Sequence, residues 1–195
     1  MREQATRFLE STLLRTLPID TAKIAESLGI KLITYAQLRA VSADFRDDLV
    51  SDRGFSVYDK TNGRYYIVYN DSDKVGARFT IAHEIGHILA GHFKNMFITN
   101  PYNINRIEYC QNEIYADEFA SALVMPYPVV LALETVLKDK KQFVRREFGG
   151  IIRNIFRVSE PFSFDEYEEW KSLPMNRHER NIFNLFLPGV KKIYN

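Results

Sequence analysis

The chain has 195 residues, enough for one ordinary domain or two small ones. Apolar residues make up 46% and aromatics 13%, which supplies a core and excludes a disordered chain. Lys plus Arg number 26 against 25 Asp plus Glu, a formal charge of +1 that lacks the basic excess of a dedicated nucleic-acid binder. The single cysteine, Cys110, excludes a disulfide scaffold and a four-cysteine zinc site.

Taken in chain order, the first ten residues mix acids with apolar side chains and form no continuous hydrophobic run, unlike a signal peptide. Ala5, Phe8, Leu9, Leu13 and Leu17 recur at helical spacing and predict an amphipathic helix over 2–16, stopped by Pro18. Asp20 or Thr21 caps a second helix that ends at Gly29, and Lys31–Thr34 reads as a short strand. Phe55–Tyr58 and Arg64–Tyr69 are aromatic and β-branched, with an Asn62-Gly63 hairpin turn between them. Asn70–Asp73 then offers helix caps, and helices are predicted over about 74–92, 106–124, 128–139 and 142–157. Ser163 with Glu166 forms a capping box for a helix through Trp170, and a last helix covers about 176–186.

A small antiparallel or mixed sheet followed by helices is an α+β arrangement. The longest uncharged stretch, Phe119–Leu133, contains Pro126 and Pro128 and is too short to span a bilayer, so no membrane partner is expected and the protein reads as soluble and cytoplasmic. Late in the chain the charge segregates. Residues 138–157 carry seven Lys/Arg against two acids and 160–170 carry five acids and no base, the pattern of solvated helix faces that pair, or of a docking surface.

Three of the four histidines fall at 83, 87 and 92. His83-Glu84-Ile85-Gly86-His87 is an H-E-x-x-H sequence on a predicted helix. Residues four apart lie about 40° from each other around a helix, so both imidazoles reach one metal ion at about 2.0–2.1 Å. Glu84, about 60° from His87, is placed to touch the attacking water without being a ligand. Phe79, Ile81, Ala82, Ile85, Ile88, Leu89 and Phe93 make this helix apolar on nearly every side, so its polar groups need partners. His92, five residues after His87, is rotated about 140° from it on a continuing helix and reads as a neighbour rather than a ligand.

A catalytic zinc needs a third protein ligand. Asn112–Ala120 contains E-x-x-x-D, in which Glu113 binds the metal and Asp117, on the same face, accepts a hydrogen bond from a ligand histidine. The flanking Ala116, Phe119, Ala120 and Leu123 mark the helix as packed. Glu118 faces elsewhere. In this reading Zn2+ is held by His83, His87 and Glu113, Glu84 is the general base, and Tyr65, Tyr66, Tyr69 and His178 are open candidates for oxyanion donor. An extended substrate would pair with a free edge of the strand near 64–69. Cys110 reads as a small core residue.

Arg78–His87, followed by Glu113, Ala116-Asp117, Phe119-Ala120 and Leu123–Pro126, resembles the ImmA/IrrE family of zinc-dependent metallo-endopeptidases. So do Leu17–Asp20, Ile24–Ile30 and Tyr66–Asn70, and the likeness covers roughly residues 5–130. It implies a minimal zincin-like metallopeptidase domain over 1–130, with its N-terminal helices and small sheet, and a C-terminal helical region over 131–195. It also implies a zinc-dependent peptide hydrolase whose protein substrate is a helix-turn-helix repressor or similar regulator. The position two after the ligand glutamate, often a second Glu in that family, is Tyr115 here.

Other classes make different demands. Peptide deformylase shares H-E-x-x-H but takes a cysteine upstream of the helix, whereas Cys110 lies downstream. A helix-turn-helix DNA-binding regulator would use Ile24–Ile30 or Ile151–Ser159, yet neither precedes an obvious basic helix, and no direct nucleic-acid contact is expected. A non-cleaving metal-binding regulator or toxin–antitoxin partner would keep its biological activity in the Glu84→Gln form.

Overall fold

The computed structural model describes residues 2–41, 53–92, 106–158 and 163–194. Phe93, Ser159 and Glu160, which entered the sequence argument, lie outside them. The elements are α1 (Arg2–Ser11), α2 (Thr21–Ser27), β1 (Lys31–Thr34), α3 (Tyr35–Val41), β2 (Gly54–Asp59), β3 (Arg64–Tyr69), α4 (Lys74–Ala90), α5 (Arg106–Val124), α6 (Tyr127–Asp139), α7 (Arg145–Phe156), α8 (Phe164–Ser172) and α9 (Arg177–Ile193). A mostly helical chain with one small mixed sheet is the α+β class expected.

The chain divides into two compact units, residues 21–120 and residues 1–20 with 121–195. This grouping differs from a cut at 130, because the first helix packs with the C-terminal ones.

In the unit of residues 21–120 the sheet order is β1-β3-β2. β3 pairs in parallel with β1 (Leu32 opposite Ile67) and antiparallel with β2 (Ser56 opposite Ile67). Both edges of β3 are therefore taken, which corrects the expectation of a free edge near 64–69; among the described residues the edge strands are β1 and β2. Ile67 and Val68 are buried, as a central strand's residues should be. The hairpin turn is held by Asp59, whose carboxylate accepts from Thr61 N at 2.8 Å and from Asn62 Nδ2 at 2.7 Å.

β2 crosses close to α4. A methyl group at Gly54 would lie 2.6 Å from Thr80 Cγ2 and 2.7 Å from the Val68 carbonyl oxygen, so only glycine fits. α4 starts at Asp73, whose side chain accepts from Val75 N at 3.0 Å, and it buries Ile81, Ala82 and Ile85. α5 buries Ala116, Phe119 and Ala120, the packed face that the sequence predicts.

The Ile24–Ile30 segment is α2 followed by strand β1, not by a second helix, so it is no helix-turn-helix. Ile151 to Phe156 is the second half of the single helix α7.

The other unit is a helical assembly in which α9 packs against α1 and α6. α1 is shorter than predicted, and Leu13 beyond it is exposed. α9 runs past Pro188, where the sequence suggests an end. Ile182, Phe186 and Val190 form a buried i, i+4, i+8 stripe, and that burial outweighs a proline penalty of about 3 kcal/mol. The Ser163 capping box is half formed: Ser163 Oγ accepts from Glu166 N, but the Glu166 carboxylate turns to Arg2 Nη2 at 2.8 Å. The basic and acidic runs meet at Arg145–Glu168, 3.3 Å. Buried Glu134 accepts from Tyr167 Oη at 2.6 Å and pairs with Lys138 at 2.6 Å and Lys171 at 3.2 Å. By length and composition Tyr109–Asp139 is apolar enough to cross a membrane, but it is mostly buried inside the protein and breaks between α5 and α6.

Candidate metal centre

Helical spacing puts His83 and His87 one turn apart on α4, and Glu113 projects to them from α5. Ligand atoms of the three side chains all lie within 4.8 Å of one another. The two Nε2 atoms are 2.9 Å apart; His83 Nε2 is 3.4 Å from Glu113 Oε2 and His87 Nε2 is 3.4 Å from Glu113 Oε1.

The chemistry of this donor set calls for a cation. His83 Nδ1 lies 2.8 Å from Asp117 Oδ1, an acceptor, and so carries a proton. In a neutral ring that leaves Nε2 as a lone pair facing the carboxylate of Glu113 and the second imidazole. Either further protons or a metal ion must stand among these atoms, and the two compete for the same lone pairs. With protons there, hydrogen bonds from His83 and His87 hold the Glu113 carboxyl at about 2, far below the usual carboxylate range. Burial works against a protonated His83, but its hydrogen bond to Glu113 and the charges of Glu84 and Asp117 outweigh this and raise its pKa.

Glu84 is buried beside the group. Burial pushes its carboxyl pKa up, and the Ser56 hydroxyl of β2, donating to Glu84 Oε2, pulls it partly back. A raised pKa makes a carboxylate a better proton acceptor at neutral pH.

The sequence argument missed three neighbours. Ser56 was one residue in an aromatic strand. His92 lies closer than predicted: α4 ends at Ala90, and Gly91 adopts a left-handed φ of 72°. The helical rotation of about 140° therefore does not apply, and His92 Nδ1 comes within 2.8 Å of His87 Nδ1. Tyr109, one turn before Glu113, has its phenol pKa raised chiefly by the Glu113 charge, with burial and Glu84 adding to it. Its helical spacing from Glu113 was the available signal.

The four proposed oxyanion donors have other contacts. Tyr65 packs on Tyr58 with ring centroids 4.8 Å apart, and Tyr66 Oη accepts from Asn62 Nδ2 at 2.9 Å. Tyr69 sits opposite Gly54, its phenol pKa raised by burial and by Asp71. His178 Nδ1 lies 2.5 Å from Glu10 Oε2 in the helical unit. Cys110 is exposed on α5, which corrects its reading as a core residue.

The model of the IrrE N-terminal-like domain, peptidase family M78, matches residues 25–152. The chain belongs to this family, and the family points to a metallopeptidase. No curated protein matches it.

Proposed function

We propose that this protein is a zinc-dependent endopeptidase that cuts a helix-turn-helix repressor or a similar regulatory protein in the cytoplasm. The observation that carries the reading is the convergence of His83, His87 and Glu113, with Glu84 buried alongside. His83, His87 and Glu113 would hold the metal. When bound, zinc supplies Lewis acidity that activates water and polarises a scissile carbonyl. Glu84 takes the proton of the attacking water and passes it to the leaving amine.

Ser56 orients the Glu84 carboxylate. Tyr109, one turn before Glu113 on α5 and near enough to feel the Glu113 charge, is the donor we assign to the developing oxyanion. An extended substrate adds along β2, an edge strand whose Ser56 already reaches Glu84.

The test is incubation with the helix-turn-helix protein encoded nearby, with and without chelator, read by intact mass. A single chelator-sensitive cut is expected. An uncut partner that nonetheless binds would replace this reading with the non-cleaving one.

A further inference from the structure

We infer that His92 is a positioning residue for the metal ligand His87. It accepts a hydrogen bond from His87 Nδ1 and so fixes the tautomer and ring orientation that leave His87 Nε2 for the metal. The inference rests on the metallopeptidase reading above.

The two Nδ1 atoms are 2.8 Å apart, with ring centroids 5.0 Å apart and an interplanar angle of 70°. Unlike the two Nε2 atoms, the Nδ1 pair lies away from the proposed metal position, and at that distance the two nitrogens share one proton. His87 needs a lone pair on Nε2 to face the metal, so its proton sits on Nδ1. His92 Nδ1 is then the acceptor, and the His92 proton sits on Nε2.

Two features hold the His92 ring in place. Gly91 closes α4 with its N–H on the His87 and Ile88 carbonyls, turning the next residue back beneath His87. From α5, the Tyr115 ring meets His92 edge-on at 5.2 Å and 77°.

The two ligand histidines are thus supported differently, His83 by the Asp117 carboxylate and His87 by a neutral imidazole. Glu84, Glu113 and Asp117 already crowd three carboxylates into the site. A neutral acceptor fixes His87 without adding a fourth negative charge.

The experiment compares His92→Leu and His92→Asn with the unmodified chain. Asn places a carbonyl oxygen about where Nδ1 stood, whereas Leu offers no acceptor. Zinc affinity is measured by competition with a chromophoric chelator, and the ligand field by the visible bands of the Co2+ form. His92→Leu should weaken zinc binding about 10- to 100-fold and alter the cobalt bands, while His92→Asn stays within about threefold of the parent. A Leu variant that binds like the parent overturns the inference, and so does an Asn variant as weak as Leu.

Long-range 1H–15N spectra of the unmodified protein give a second reading that needs no variant. They should show His87 protonated at Nδ1 and His92 at Nε2, and the opposite tautomer at His92 overturns the inference. A parent chain that binds no zinc overturns the metallopeptidase reading itself; equal binding by parent and Leu variant overturns only the role of His92.

Discussion

The hydroxyl of Ser56 donates to the carboxylate of Glu84, tying β2 to the residue we propose as general base. Glu84 is buried, and among the described residues Ser56, His83 and His87 are what favour its charged form against that burial. The hydrogen bond fixes one of the two carboxylate oxygens, Oε2.

Glu84→Gln keeps the shape of this side chain and removes its basicity. Cleavage should fall about a hundred- to ten-thousand-fold while zinc affinity stays near that of the parent. Parallel measurement of turnover and zinc content checks this, and substantial turnover in a zinc-loaded Gln variant would remove Glu84 from the mechanism.

Glu113→Ala removes the one proposed ligand that comes from a second helix. Zinc at about a hundred times its dissociation constant should stabilise the parent by about 2.7 kcal/mol, and chelator should reverse the gain. The Ala variant should show little zinc-dependent rise in melting temperature. A full rise in that variant would exclude Glu113 as a ligand.

Tyr109→Phe separates transition-state stabilisation from metal binding. Loss of one oxyanion donor costs about a hundred- to a thousand-fold in kcat. We expect that loss with zinc affinity unchanged, measured by kinetics on a short peptide alongside chelator competition. Unchanged kcat would return the search for the donor to other groups.

Glu134 predicts a pH dependence of stability. Burial pushes its carboxyl up, but hydrogen bonds from Lys138, Tyr167 and Lys171 outweigh this and hold the folded-state pKa below the ordinary 4.5. A depressed folded pKa contributes stability above the unfolded value and loses it as pH falls through the folded one. Glu134→Gln should cost about 1–3 kcal/mol at pH 7, and the gap to the parent should close progressively below about pH 4.5. Urea midpoints across that range measure it; a gap independent of pH would show that charge is not the cause.

Much of this was legible in the chain. H-E-x-x-H and E-x-x-x-D set their side chains by helical periodicity, a local rule, and the helices carrying them occur within a residue or two of where the periodicity puts them. Asp73 and the Asn62-Gly63 turn announced themselves by residue type. What local rules could not supply was long-range pairing. β3 reads as aromatic and β-branched whether central or edge, and only its partners decide.

His92 was misjudged because angular arithmetic assumes that the helix continues, and Gly91 ends it. α3 left no clear pattern in its seven residues. Pro188 misled for the opposite reason: the local cost is real, but a buried apolar stripe exceeds it.

Gly54 lies against Thr80, and Ser56 reaches Glu84. Two strand residues advance about 6.6–6.8 Å and four helical residues about 6.0 Å, so β2 and α4 travel side by side nearly in step, like a rack and pinion. A slip of β2 by one residue would present Phe55 or Val57 to Glu84 and remove its hydrogen bond from Ser56. The tooth count is kept at the far end of the hairpin, where Asp59 clasps Thr61 and Asn62. A surface turn thus fixes, through the pairing of β2 with β3, which side chain of β2 meets Glu84.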